Sequence, residues 1–230
     1  MNSSAKSTKV YEQVVERIKN MVEDGELKMG EKLPTERAMA EELSVSRASI
    51  REAIRSLEVI GLIESKQGAG NYIKKDFNDI LLEPLSMMFM LKQGSSMDIY
   101  ELREVLELST IMLSAKRINE KELEKLKNLI HMFKESDIES NNVIIDKEFH
   151  YTIVKAANNQ LITNLLNVVS QLMDKFITDL RKNILESSEN KEKLLDLHER
   201  IYLALEAKDD YKAYIALKEH FKLIKEYIKC

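Results

Sequence analysis

The sequence predicts a mainly α-helical protein with a small pair of strands in its N-terminal part. Apolar residues recur at helical spacing through most of the 230 residues. Glycines at positions 61, 68 and 70 interrupt that spacing. After Gly94 the chain has no glycine or proline, and a sheet with its turns is not expected from such a segment. We therefore predict a first domain over residues 1–75 and an all-α antiparallel helical bundle over residues 76–230.

Composition limits the classes of function. The formal net charge of -4 conceals an uneven distribution, because residues 1–75 hold 13 of the 35 basic and 12 of the 39 acidic side chains. The acidity therefore belongs to the second domain, and the first remains compatible with nucleic acid. No apolar run is long enough for a membrane span, and MNSSAKSTK does not resemble a signal peptide, so we expect a cytoplasmic protein. The single cysteine, Cys230, excludes a disulfide framework and a CxxC metal site.

The first helix is predicted from residue 10 to residue 24, because Val10, Val14, Ile18 and Met21 follow helical spacing and Gly25 ends the pattern. Gly30 and Pro34 then mark a turn-rich connection. Thr35 is the predicted N-cap of a short second helix that ends near Leu43.

A third helix is predicted after a three-residue turn, with Ser46 as its N-cap and Gly61 just beyond its end. Its apolar residues fall within about 60° of one another, and its arginines form a separate stripe about 80° wide. The apolar residues are Ile50, Ile54 and Leu57, and the arginines are Arg47, Arg51 and Arg55. One face can therefore pack on a core while the other meets phosphates and base edges, for which arginine is well suited.

After Gly61, the sequence LIESKQGAGNYIKK predicts two short strands around a tip at residues 67–70, which is a wing. The run from Gly25 to Ile73 resembles the winged helix-turn-helix of GntR-type transcription regulators. It departs from that pattern in having Met29 where proline is usual and Thr35 in place of serine. The resemblance implies DNA contacts from Arg37, Ser46, Arg47, Arg51, Gln67 and Gly68. The alternative is an amphipathic helix with a solvated arginine face.

The second domain is predicted to consist of helices throughout. The first covers residues 76–91 and is broken or kinked at Pro84. Asp98 with Glu101, and Asn119 with Glu122, have the spacing of capping boxes that start the next two helices. Further helices are predicted at about 141–157, 160–186, 189–207 and 209–228. Apolar positions of the 160–186 helix are expected to face the interior: Leu161, Leu165, Val168, Val169 and Leu172.

Four residues of this domain suggest a metal site. Asp146 and His150 are four residues apart on one predicted helix, so their side chains share a face. His198 and His220 lie on two later helices, and a bundle can bring all four to its interior. One carboxylate oxygen with three imidazole nitrogens suits zinc, nickel or manganese rather than calcium. The alternative is that each histidine is an ordinary core or surface residue.

A second resemblance concerns these residues. The Asp146 and His150 pair, His198 in its His-Glu-Arg-Ile segment and His220 look like the ligand set of the FCD domain of FadR-like GntR regulators. His131 matches no ligand position and is expected at the surface or in an interface. The helix YELREVLELSTIMLSAKR also resembles that domain, and Arg103 there could anchor an effector carboxylate. Alternatively, Arg103 forms only a weak helical pair with Glu107.

Two polar residues on an otherwise apolar helix, Asn167 and Gln171, are also expected to face an effector pocket. Together the resemblances imply a homodimeric transcription regulator that binds a palindromic double-stranded DNA operator. A small carboxylate effector would complete the metal coordination and shift the placement of the winged domains through the segment around residues 74–79. Repression that the effector relieves is the expected mode.

Three alternatives remain for the metal. The ion itself could be the signal, it could be purely structural, or the same residues could activate water in a helical metalloenzyme. A catalytic site would also need a general base near the metal, and the sequence contains no HExxH motif. We therefore expect no enzymatic activity.

Overall fold

The computed structural model describes residues 3–75, 78–136, 138–176 and 188–228. The chain divides into two compact units, Met1–Ile80 and Leu81–Cys230, and the predicted boundary after residue 75 lies shortly before this division. Cys230, the end of the predicted 160–186 helix and part of the 74–79 segment lie outside the described residues. Within the described ranges, no helix is long and apolar enough to cross a membrane.

Among its described residues, the first unit contains three complete helices followed by two strands. These are α1 (Ser3–Glu23), α2 (Glu36–Glu42), α3 (Arg47–Val59), β1 (Ile63–Lys66) and β2 (Gly70–Ile73). Both predicted N-caps are confirmed, since the side chain of Thr35 accepts from the Ala38 amide and that of Ser46 from the Ser49 amide. Gly61 follows α3 with a φ of 75°, a conformation that glycine adopts without strain.

The predicted wing is present as an antiparallel pair in which Ile63 faces Ile73 and Lys66 faces Gly70. The connection before α2 extends this pair, because Lys32 forms an isolated bridge with Tyr72. Ile63 and Ile73 are buried in one apolar core with Ile50, Ile54 and Leu57 of α3. The wing and α3 are therefore fixed to the same core, and this leaves the arginine stripe of α3 outside it.

The second unit is all-α in its described residues, as predicted. Its helices are α4 (Asn78–Leu91, which begins before the division at residue 80), α5 (Ser96–Arg117), α6 (Glu120–Glu135), α7 (Glu139–Ala156), α8 (Gln160–Phe176), α9 (Ser188–Glu206) and α10 (Asp210–Lys225). Short connections join α6 to α7 and α9 to α10, and each pair packs together as antiparallel neighbours.

The helix α4 corresponds to the helix predicted over residues 76–91 and contains Pro84. Two details differ from the prediction. The capping box of α5 pairs Ser95 with Asp98, so the helix begins one turn before the predicted Asp98 and Glu101 box, whereas the Asn119 and Glu122 box is confirmed. On α8 the predicted interior face is wrong at Leu161 and Leu165, which are 81% and 36% exposed, but right at Val168, Val169 and Leu172.

The helix α5 lies at the centre of the second unit and packs against α7, α8, α9 and α10. The Tyr100 hydroxyl donates to the carbonyl of Phe221 at 2.6 Å, which ties α5 to α10. The Ser114 hydroxyl donates to the carbonyl of Ile153 at 2.6 Å, which ties α5 to α7. Because both bonds are buried, they fix the register of the helices that carry Asp146, His150 and His220.

The cap of α3 gives a first test. We expect Ser46→Ala to lower the free energy of unfolding by about 1 kcal/mol, because the Ser49 amide loses its acceptor. The control Ser56→Ala removes a hydroxyl from the same helix and should be neutral or slightly stabilising, because alanine has the higher helix propensity. Urea unfolding followed by circular dichroism measures both. Equal effects of the two substitutions would contradict a capping role for Ser46.

Candidate metal centre and DNA-binding surface

The third helix presents its arginines to solvent and its apolar residues to the core, as the spacing predicts. The side chains of Arg47 and Arg51 are 62% and 55% exposed. The sequence did not indicate that Glu36 of α2 contacts both of them. Its Oε2 lies 3.2 Å from Nε of Arg51 and 3.8 Å from Nη2 of Arg47.

The other predicted DNA-contacting residues are also at the surface of the first unit. Arg37 is paired with Glu41 at 2.9 Å, and both side chains are largely exposed. At the wing tip Gln67 and Gly68 are exposed, and Gly68 has a φ of 73° with open space around it. Ser46 is exposed while its hydroxyl caps α3. Arg37, α3 and the wing thus offer positive and hydrogen-bonding groups on one unit.

In the second unit, Asp146, His150, His198 and His220 come together. Asp146 and His150 lie on α7, His198 on α9 and His220 on α10, and all four are buried. One potential ligand atom from each lies within 4.8 Å of the others. The Asp146 Oδ1 lies 3.7, 3.4 and 4.0 Å from the Nε2 atoms of His150, His198 and His220 respectively.

The separations of 3.4–4.0 Å from Asp146 suit ligands of one cation, because two donor atoms bound at roughly 2.1 Å to the same ion lie at most about 4.2 Å apart. Two atoms bound at roughly 2.1 Å to the same ion and about 90–110° apart are separated by roughly 3.0–3.4 Å. The 3.2 Å between the Nε2 atoms of His198 and His220 falls within that range. The longer separations from Asp146 to His150 and His220 correspond to wider angles at a shared ion.

His198 and His220 lie in an apolar shell that favours their neutral, ligating form. Phe149 lies 4.4 Å from His198 between ring centroids, and Phe221 neighbours His150 and His220. Burial lowers the pKa of His198, although Asp146 acts in the opposite direction. Burial, together with the nearby His150 and His198, lowers the pKa of His220 well below its usual value. Neutral imidazole nitrogens keep the lone pair that a metal requires.

A carboxylate orients His150. The Nδ1 of His150 lies 2.7 Å from Oε2 of Glu107 on α5. Burial alone would raise the pKa of Glu107, but the adjacent Arg103 guanidinium and His150 hold it at about 2. The ionised carboxylate only accepts, so Nδ1 of His150 donates to it, and Nε2 lies on the side of Asp146. No pattern in the sequence indicates this contact between helices.

Arg103 pairs with Glu107, which was the alternative to an effector-anchoring role, but the pair is buried. The two side chains are only 4% and 7% exposed. Arg103 also contacts Sδ of Met173 and lies 5.6 Å from the ring centroid of Phe221. Arg103, Glu107 and His150 therefore form a continuous buried chain that leads to the four-residue cluster.

The residues present fit a divalent cation. Two buried nitrogens, Nε2 of His150 and Nδ1 of His220, have no hydrogen-bond partner among the described residues, and His150 Nε2 faces the cluster. Buried polar atoms are normally hydrogen-bonded or bound to a metal. One carboxylate and three imidazoles form the donor set of transition-metal sites. His131 lies apart from the cluster on the exposed surface of α6.

A cavity of about 430 Å³ adjoins this cluster, and Arg103, Glu107 and His150 form part of its wall. Asn167 and Gln171 line it, and Thr163 and Ser170 add hydroxyl groups that the sequence did not single out. An ion pair of 2.7 Å between Lys147 and Asp174 lies at the same wall. The cavity thus offers polar groups beside the four-residue cluster.

Two family models match the chain. The model described as "Bacterial regulatory proteins, gntR family" matches residues 10–73, which contain α2, α3 and the wing. The model described as the FCD domain matches residues 98–223, which contain the four-residue cluster. The chain is a GntR-family transcription regulator with an FCD domain. Its family assigns it to DNA-binding regulators rather than to enzymes.

Relatives of this GntR-family regulator support the assignment over nearly the whole chain. The HTH-type transcriptional regulator YcbG of Bacillus subtilis strain 168 is 35% identical, with 94% of this chain and 88% of the relative covered. LutR of the same strain is 32% identical, and the match covers 90% of this chain and 96% of LutR. The solved structure of Streptococcus agalactiae GntR has a TM-score of 0.72 and 28% identity, and the match covers 94% of this chain and 99% of that structure's chain.

The buried Arg103 and Glu107 pair gives a second test. We expect Glu107→Leu to lower the free energy of unfolding by about 4 kcal/mol, because it leaves the Arg103 charge buried without a counter-ion. The double variant Arg103→Met, Glu107→Leu should lose only about 2 kcal/mol, because the remaining cost is mainly the lost partner of His150. Urea unfolding followed by circular dichroism measures both.

The exposed pair of Arg200 and Glu219 supplies the control, since their side chains are 44% and 47% exposed. Glu219→Leu should change stability by less than about 1 kcal/mol. A double variant of Arg103 and Glu107 that is no more stable than Glu107→Leu alone would contradict the account of this pair.

Proposed function

We propose that the regulator controls its affinity for operator DNA through a small carboxylate that binds beside a divalent metal in the FCD domain. The observation that carries the proposal is the convergence of Asp146, His150, His198 and His220 beside a polar cavity walled by Arg103. In this proposal the four residues hold zinc, nickel or manganese. The ion would supply positive charge and coordination positions for carboxylate oxygens.

The cavity residues have separate roles in the proposal. Arg103 attracts the carboxylate, and its contacts with Glu107 and Met173 keep the guanidinium in place. Asn167 and Gln171 bind further polar groups of the effector. Glu107 holds His150 in the orientation that presents Nε2 to the cation. A cavity of about 430 Å³ limits the effector to a small molecule.

The proposed DNA contacts come from the first unit. Arg47 and Arg51 of α3 read base edges in the major groove, and Ser46 and Arg37 bind the phosphate backbone. Gln67 and Gly68 place the wing tip against the adjacent groove. A homodimer would place two such units on the half-sites of a palindromic operator. Effector binding relieves repression in this proposal, which requires that the carboxylate favour one of two arrangements of the protein.

Metal analysis tests the proposed site. We expect about one divalent transition metal per chain in the purified wild type and almost none in the His150→Ala, His198→Ala double variant, which loses two of four ligands. The control His131→Ala removes an exposed histidine and should retain the metal. Mono-, di- and tricarboxylates should then raise the Tm of the metal-loaded wild type by about 5 °C at saturation.

The same preparations separate the alternatives. If carboxylates give no thermal shift in the metal-loaded protein and chelation alone changes operator binding, the ion is the signal. If chelation unfolds the second unit, the ion is structural. Metal content that is equal in the wild type and the double variant would remove the basis of the proposal.

A further inference from the structure

A carboxylate occupies an unusual place in the proposed DNA-binding surface. Glu36 lies 3.2 Å from Arg51 and 3.8 Å from Arg47 through the same oxygen, Oε2. Its side chain is 29% exposed, about half the exposure of the two arginines. A negative charge here repels DNA phosphates and by itself lowers affinity. Its position therefore needs an explanation other than attraction to DNA.

The two arginines need a counter-ion to keep their side chains in fixed conformations. Arg47 and Arg51 are one helical turn apart, so their positive charges repel each other. Their long side chains also have many rotamers, and immobilising them when DNA binds costs conformational entropy. Because one oxygen of Glu36 lies within ion-pair distance of both, it offsets the repulsion and restricts the rotamers before DNA arrives.

The geometry of the guanidinium makes this restriction compatible with base recognition. An arginine side chain has donors along two edges, one with Nε and one with both Nη atoms. Glu36 contacts Arg51 at Nε. The edge with both Nη atoms can bind guanine O6 and N7 together. The contact thus orients Arg51 without using that edge, whereas the longer contact with Arg47, at 3.8 Å, is made at Nη2.

Glu36 is itself firmly held. It is the first residue of α2, and Thr35 caps that helix with a bond of 3.2 Å to the Ala38 amide. The Val45 amide donates to the carbonyl of Ala40, which fixes the turn between α2 and α3. By contrast, Glu41 pairs with Arg37 on the same helix, and both side chains are more than half exposed. Only the Glu36 contacts link α2 to the arginines of α3 among the ion pairs of the described residues.

We propose that Glu36 is a positioning residue for base recognition: it holds Arg51 and Arg47 in the conformations that read the operator. The inference rests on the proposed DNA contacts of these two arginines. It makes an unusual prediction, because removing the negative charge strengthens binding to any DNA while loss of positioning weakens binding to the operator. The two effects have opposite signs on the two kinds of DNA.

The test compares full-length variants by fluorescence anisotropy on two duplexes. One is an operator that the wild type selects from a random duplex library, and the other is a scrambled duplex of equal length and composition. Glu36→Gln should bind the scrambled duplex roughly twofold more tightly and the operator about fivefold more weakly. The specificity ratio, which is the operator affinity divided by the scrambled-duplex affinity, therefore falls about tenfold. Glu36→Asp keeps the charge, but its side chain is one methylene shorter and does not extend to the two arginines. It should lower the ratio of operator affinity to scrambled-duplex affinity without strengthening binding to the scrambled duplex.

The matched control is Glu42→Gln, which removes the same charge from the other end of α2, where the side chain is exposed. It should strengthen binding to both duplexes equally and leave the ratio unchanged. Glu36 has no positioning role if Glu36→Gln behaves like Glu42→Gln, or if it weakens binding to both duplexes in parallel with a lower Tm.

Arg51→Ala distinguishes a failure of the positioning role of Glu36 from a failure of the proposed DNA contacts of α3. This variant should bind the operator at least about tenfold more weakly. If Arg51→Ala loses operator affinity and Glu36→Gln keeps the wild-type ratio, only the positioning role is wrong. If Arg51→Ala binds the operator like the wild type, the proposed DNA contacts of α3 are wrong as well.

Discussion

The burial of one carboxylate and three imidazoles inside an apolar bundle is the constraint on which the second unit depends. Asp146, His150, His198 and His220 come from three helices and are all less than 10% exposed. Polar groups removed from water cost free energy unless they are hydrogen-bonded or bound to a cation. The apolar contacts of α5 with its neighbours bring these helices together, so packing energy offsets the cost of assembling the site.

Both candidate regions contain the same kind of contact between helices. In the second unit Glu107 on α5 fixes the orientation of His150 on α7, and in the first unit Glu36 on α2 contacts Arg51 on α3. In each case a carboxylate on one helix restricts a nitrogen-bearing side chain on another. Such restriction lowers the entropy lost when a ligand binds. The proposed metal ligand His150 and the proposed DNA contact Arg51 are thus each supported by a carboxylate on a neighbouring helix.

Local sequence signals predicted much of the fold but less of the site. The caps at Thr35, Ser46 and Asn119 and the strands around Gly68 depend on near neighbours in the chain, and the structure confirms them. The prediction that Leu161 faces the interior was wrong, because the spacing of apolar residues does not show which edge of an apolar helix face packs on the core. The ligand-type residues could be selected only with the help of a family resemblance. The contacts of Glu107 with His150 and of Glu36 with Arg51 join separate helices, and no local pattern encodes them.

The measurement that tests the central claim most directly is operator affinity as a function of carboxylate concentration, in metal-loaded and metal-free protein. The account predicts that a carboxylate weakens operator binding of the metal-loaded wild type by about tenfold, within the usual range of allosteric coupling. The metal-free wild type and a metal-free Asp146→Ala variant should show no response. A carboxylate response of equal size with and without the metal would contradict the claim that the cluster couples effector binding to DNA binding.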